Sequence, residues 1–188
     1  MKRLLFLSVV LMTGVMACSS CAKKSQTSAQ PDVATCTDAS CPIKLPEAGT
    51  ETVNDVIQED NWQFTLPGSG WVSVKPPDDT IKVIFANQET NTIVFLAKDP
   101  TTQTSSEYII NALRSFKAAG TLIQSAQQVS ITDTNFIMVT AQGETRKIWT
   151  WISVQKGFGY IFTCAADNSN ADTGAQRCQD IANTLQIR

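Results

Sequence analysis

Between residues 61 and 188, short apolar blocks alternate with turn residues, and the spacing of the apolar positions changes from one block to the next. Trp-Gln-Phe-Thr-Leu at 62–66 has a period of two, which places every second side chain on one face of a strand. Pro67-Gly68-Ser69-Gly70 breaks it, Trp71-Val72-Ser73-Val74 returns as a strand, and Pro76-Pro77-Asp78-Asp79 forms another turn. Segments 81–86 and 92–97 read as a hairpin around 87–91. The period then lengthens. Ile109, Ala112, Leu113 and Phe116 recur at helical spacing. They follow Thr104-Ser105-Ser106-Glu107, a capping box in which the Thr oxygen accepts from the third-residue amide while the Glu reaches back to the cap. Gly120 can end this helix in a left-handed conformation. Strands follow at about 128–132, 135–142, 147–154 and 159–164. A second helix from near Asp172 carries Cys178, Ile181, Ala182 and Leu185 on one face.

The later strands are apolar on both sides. Phe136 and Met138 oppose Ile137 and Val139, while Trp149 and Trp151 oppose Ile148, Ile152 and Val154. A sheet with one wet face would alternate apolar with polar, so these strands imply a covering layer on each side. Residues 61–188 hold all four Trp, both Tyr and every Phe but Phe6, enough for one domain with a substantial core.

The start of the chain has a different pattern. Met1-Lys2-Arg3 is positive and residues 4–15 are almost unbroken apolar, the layout of an export signal that is too short to span a bilayer. Val15-Met16-Ala17 directly before Cys18 resembles the lipobox of bacterial lipoproteins. That resemblance implies removal of residues 1–17, a diacylglycerol on the Cys18 thiol and acylation of the new amino group. Each buried methylene contributes about 0.8 kcal/mol, so several acyl chains hold a protein at a membrane. Ser19 in place of Asp implies, by the enterobacterial sorting rule, the outer membrane facing the periplasm. Cys18 and Cys21 also form a C-x-x-C pair. A thioredoxin-type redox pair belongs beside a strand–helix unit, which is not where this pair lies. Cys18, Cys21, Cys36 and Cys41 could supply zinc ligands, but cysteine pairs of exported proteins are more often disulfides.

Parity complicates the choice of lipidated residue. Six cysteines are present, and lipidating Cys18 leaves five, with Cys21 over. Lipidating Cys21 would leave four, which pair evenly, but Cys18-Ser19-Ser20 is a poorer box. Cys18 is therefore the first choice and Cys21 the second. Residues 18–57 read as the lipidated cysteine and a tether, rich in Ser, Thr, Ala, Gln, Asp and Pro, without aromatics. As a coil it would reach roughly 35 Å. Cys36 and Cys41 would close a small disulfide loop within it. Cys164 and Cys178 are expected to join, because Cys164 ends a strand whose face Cys178 meets from the apolar stripe of the final helix. Without residues 1–17, 13 of the 15 basic residues remain against 17 acidic, a net charge of −4. No basic stripe points to nucleic acid.

The run Phe64-Thr-Leu-Pro-Gly-Ser-Gly-Trp71, the central capped helix, the four-strand meander ending Gly157-Phe-Gly-Tyr-Ile-Phe-Thr-Cys164 and the final helix resemble PsbP/DcrB-type domains over about residues 58–188. The resemblance implies an α+β fold, an α/β/α sandwich around a mainly antiparallel sheet with two principal helices. It also implies a non-enzymatic accessory or binding role in photosystem or envelope proteins.

Chemistry read from the residues agrees. The chain has no histidine, which removes Ser-His-Asp and Cys-His systems and the commonest zinc-water sites. Residues 67–71 are not a nucleophile elbow. Asp167-Asn-Ser-Asn-Ala-Asp172 lacks the turn Gly and bidentate Glu of a calcium loop. No phosphate or dinucleotide loop is present, so no cofactor or metal is expected. Asp78-Asp79 and Glu59-Asp60 read as solvated turns. Trp149 and Trp151 share one strand face. They either fill the core beneath a helix or form an exposed shelf for a peptide, glycan or hydrophobic ligand. The expected function is a lipid-anchored envelope protein with a binding or accessory domain that meets an envelope component. The alternative is a carboxylate-dependent hydrolase acting on an envelope polymer.

Overall fold

The computed structural model describes residues 56–59 and 61–188. Its elements are β1 Val56–Glu59, β2 Trp62–Thr65, β3 Trp71–Val74, β4 Ile81–Asn87, β5 Thr92–Pro100, α1 Ser105–Ala118, β6 Leu122–Ile131, β7 Thr134–Gln142, β8 Arg146–Gln155, β9 Phe158–Asp167, α2 Ala171–Asn183 and β10 Gln186–Ile187. Seven strands form one sheet in the order β3-β4-β5-β9-β8-β7-β6, every neighbouring pair antiparallel. A second sheet, β1-β2-β10, has three short strands. The fold is α+β with two helices and a mainly antiparallel sheet.

The apolar-on-both-sides pattern is resolved by two separate cores. On one face of the large sheet, Tyr108, Ala112 and Phe116 of α1 pack on Ile84, Phe95, Val139, Ile152 and Ile161. On the other face, Cys178, Ile181 and Ala182 of α2 and Trp62 and Phe64 of β2 pack on Trp149, Trp151, Phe162 and Cys164. The small sheet thus shares with α2 the layer that the sequence assigns to a helix. Phe64 lies edge-on to Phe162 at 5.1 Å between ring centroids, a geometry aromatic quadrupoles favour.

Local signals fix the helix ends. The amide of Glu107 donates to the Thr104 hydroxyl at 3.3 Å and the Thr104 amide donates to the Glu107 carboxylate at 2.9 Å, so the capping box is complete. Gly120 follows α1 at φ 78°. Asp167, which the calcium-loop comparison singled out, accepts from the Ser169 amide and hydroxyl and starts the 3-10 turn Asn168–Asn170 that leads into α2. Two glycines matter by their lack of a side chain. A Cβ on Gly159 would lie 2.1 Å from the Tyr108 ring, and one on Gly174 would lie 2.3 Å from the Ala166 Cβ. At these two places a side chain of α1 and the backbone of α2 lie directly against the sheet.

Three sequence boundaries shift. The tether was expected to reach residue 57, but Val56 and Ile57 pair with Thr65 and Phe64 in β1, and Ile57 packs against the core. Glu59 is accordingly the exposed last residue of that strand and not part of a turn. β6 begins at Leu122, six residues before its expected start, because it is an edge strand with both faces largely wet and so has no alternating pattern.

Candidate functional site

Cys18, Cys21, Cys36 and Cys41 lie outside the described residues. Cys164 and Cys178 are bonded, with Cα atoms 5.5 Å apart and no exposure of either residue. Cys164 stands opposite Trp149 in the β8–β9 register, so the bond ties α2 to the middle of the sheet. The shelf reading of Trp149 and Trp151 is corrected: they are 7% and 0% exposed. Their shared face is the one that α2 and β2 cover, and the pair fills the core. Lys147 lies over the outer edge of this region, its Nζ 5.7 Å from the Trp149 ring centroid.

A different place on the molecule is open. α1 crosses the sheet over β8 and β6 and meets the start of β6 through the short connection at Gly120. A groove of about 300 Å³ lies between the first turns of α1 and strands β6, β7 and β8. Ile109 and Ser105 of α1 form one wall. Ile137, Ile152, Val154 and part of Phe136 form the floor, and Gln128, Asn135, Ser153 and Gln155 supply polar atoms. None of these ten residues is charged. Ser153 Oγ donates to the Asn135 carbonyl at 2.9 Å and accepts from Gln155 Nε2 at 3.4 Å, which orients the amide rim. Asn135 Oδ1 also accepts from Ser130 Oγ at 2.6 Å. An aliphatic floor ringed by amides and hydroxyls can hold an uncharged ligand and offer it donors and acceptors, but it contains no nucleophile–base pair.

Titratable groups with displaced protonation lie elsewhere and have structural causes. Hydrogen bonds from Thr104 hold the Glu107 carboxyl below its ordinary range, and those from Ser169 do the same for Asp167. Burial pushes the Tyr108 and Tyr160 phenols up, with the charge of Asp99 adding to the effect on Tyr108. Burial lowers the Arg146 guanidinium, which donates to the Asn91 carbonyl at 2.8 Å and lies near Asp167. Asp78 accepts from the Thr80 amide at 2.8 Å in its turn. Among the described residues no group of three or more His, Cys, Asp or Glu is placed to hold a metal. No helix among them is long and apolar enough to cross a membrane.

None of the groove residues was singled out from the sequence as a site residue; Ile109, Phe136, Ile137, Ile152 and Val154 read there only as apolar positions of a helix and strands. Uncharged Ser, Asn and Gln on four separate elements carry no motif, and only the tertiary packing of α1, β6, β7 and β8 brings them together.

No family model and no curated protein matches this sequence. The fold does match solved structures. The cyanobacterial PsbP protein CyanoP from Synechocystis sp. PCC 6803 superposes with a TM-score of 0.57 at 12% identity, over 77% of this chain and 99% of CyanoP. The Ran-binding protein Mog1p of Saccharomyces cerevisiae superposes with a TM-score of 0.51 at 10% identity, over 73% of this chain and 96% of Mog1p. The chain is therefore similar in fold to PsbP-like domains, as the aromatic-glycine pattern and element order implied.

Proposed function

We propose that the chain is an envelope lipoprotein, acylated at Cys18, whose folded domain is a non-catalytic binding or accessory module with its ligand groove between the first turns of α1 and the β7–β8 strands. The observation that carries this reading is the chemistry of the groove, which is aliphatic and amide-lined and has no charged residue. Asp78, Glu107 and Asp167 each accept hydrogen bonds at a turn or helix start, and none of them lines the groove. A lining of this kind suits an uncharged stretch of an envelope protein or another neutral envelope component. The PsbP-like fold supports an accessory role. The positive start, apolar run and Val15-Met16-Ala17-Cys18 support the anchor, with the outer membrane facing the periplasm as its place.

Two experiments test the two halves. Labelling cells with a palmitate analogue should tag the wild-type chain, and Cys18→Ser should remove the tag and move the protein out of the membrane fraction. If Cys21→Ser did this and Cys18→Ser did not, the assigned site would be wrong. For the groove, a photoreactive amino acid replacing Ile109 should form adducts in intact cells that the same residue at exposed Lys117 does not. Identical adducts, or none, from the two positions would refute the groove as the binding site.

A further inference from the structure

The large sheet has two open edges, and they differ in kind. β3 is four residues long and leads into Lys75, Pro76 and Pro77. β1 and β10, the edges of the small sheet, have four and two residues. Short length, charge and proline are the usual devices that keep strand edges from pairing with other chains. β6, the other edge of the large sheet, has none of them. It is ten residues long, and residues 118–132 contain no charged residue and no proline. Gln124 to Gln128 are exposed in succession, so both faces of the strand are wet along the middle of its length.

The free hydrogen-bonding groups of this edge can be assigned. β6 and β7 are joined by the two-residue turn Thr132-Asp133, with Thr132 at φ 51°, and Ile131 pairs with Thr134. The pair that closes a two-residue turn exchanges both of its backbone hydrogen bonds, and antiparallel partners then alternate. Ile131, Val129, Gln127 and Ser125 therefore bond inward to β7, while Ser130, Gln128 and Ala126 turn their amides and carbonyls outward. Beyond Ser125 the register shifts at a bulge between Ile123 and Ser125, which bends the strand and ends the regular edge. The straight, unprotected stretch is Ser125–Ile131, and its midpoint is Gln128.

We infer that β6 is a self-association edge, in which two copies of this chain join antiparallel about a two-fold axis at Gln128 and continue one sheet into the next. A two-fold interface requires a surface complementary to itself. About this axis Gln128 faces Gln128 of the other copy, Ala126 faces Ser130, and Gln127 faces Val129. Small residues meet small ones, amide meets amide, and no charge opposes a like charge. The outward groups of Ala126, Gln128 and Ser130 are matched in full by those of the partner copy. The absence of charge over residues 118–132, in a chain whose charged residues make up 17% of the whole, is what selects a second copy over an acidic or basic partner.

The test uses the purified full-length chain in detergent under mild oxidation. In the proposed pair, residue 128 of each copy lies in a hydrogen-bonded pair with Cα atoms about 5.5 Å apart, within disulfide reach. Residue 130 lies four positions from its own copy, about 14 Å away at about 3.4 Å per residue. In a chain that also carries Cys21→Ser, Gln128→Cys should therefore give a linked dimer on a non-reducing gel that Cys21→Ser alone and Cys21→Ser with Ser130→Cys lack. In that background, Ala126→Lys with Ser130→Lys places two like-charge pairs across the axis and should lower linking about tenfold. Ala126→Lys with Ser130→Glu places opposite charges there and should restore it. The restored variant also shows that loss in the first is not misfolding. No dimer from Gln128→Cys, equal linking from Ser130→Cys, or failure of the charge exchange to restore it would overturn the inference.

Discussion

Replacing both Cys164 and Cys178 by alanine removes a covalent tie across the interior. The two cysteines are separated by 14 positions, and neither is exposed. In the chain-entropy account, closing a loop of about 15 residues in the unfolded chain stabilises the folded state by about 3 kcal/mol at 25 °C. Deleting two buried sulfur atoms beside Trp149 adds a packing loss of about 1 kcal/mol, since the disulfide sits in a core that cannot fully collapse around the gap. The expected cost is about 3–4 kcal/mol. For a domain of roughly 130 residues, each kcal/mol lowers Tm by about 3–4 °C, so Tm should fall by about 10 °C or more. Circular-dichroism melts of the full chain, wild type against Cys164→Ala/Cys178→Ala, measure this directly. Either single replacement should cost nearly as much as both, because each breaks the same bond. A reductant without denaturant should leave the folded wild type unchanged for as long as it stays folded, since neither sulfur is reachable. A Tm drop under about 3 °C, or single variants with additive effects, would refute the reasoning that the bond acts mainly on the unfolded chain.

Other outcomes follow from particular contacts. Gly159→Ala should cost about 2–3 kcal/mol, the upper range for overpacking, because its Cβ would occupy the place of the Tyr108 ring. Chemical denaturation shows this, and Tyr108→Leu in the same chain should recover part of the loss. Gly174→Ala should also destabilise, although alanine is the better helix former, since its Cβ would press on the Ala166 Cβ and push α2 off β9; a stabilised variant would contradict the packing. All four Trp are buried, so acrylamide should quench their emission far less than free indole. Glu107 has a lowered carboxyl pKa in the folded state. Its contribution is therefore fully present above the ordinary carboxylate value of 4.5 and is lost as pH falls below it through the folded value. Thr104→Ala should remove that part of the acid limb of a stability–pH curve. Both Tyr pKa values are raised by burial. The folded state therefore loses stability as pH rises above the ordinary phenol value of about 10, and phenolate absorbance should appear together with unfolding and not before it.

Much of this molecule is legible in its sequence, for reasons that are local. The capping box at Thr104 and Glu107 and the left-handed Gly120 specify the ends of α1 within a few neighbouring residues, and the structure shows both. The two-sided apolar pattern of 135–142 and 147–154 demands cover on both faces of the sheet, because burying only one face would leave either Trp149 and Trp151 or Ile148 and Ile152 in water. What local pattern cannot supply is which element does the covering. The layer over Trp151 is shared between α2 and the small sheet, and the strands that complete that sheet, β1 and β10, come from opposite ends of the domain to flank β2. A two-residue strand such as β10 has no periodicity to read. Trp149 and Trp151 show the same division: their spacing puts them on one face, but only the packing of α2 and β2 decides that this face is inside. The groove and the β6 edge were invisible for the opposite reason. Their polar residues are uncharged and carry no signal, the apolar floor of the groove reads as ordinary core, and their meaning arises from how α1 packs beside β6–β8 and where the sheet stops.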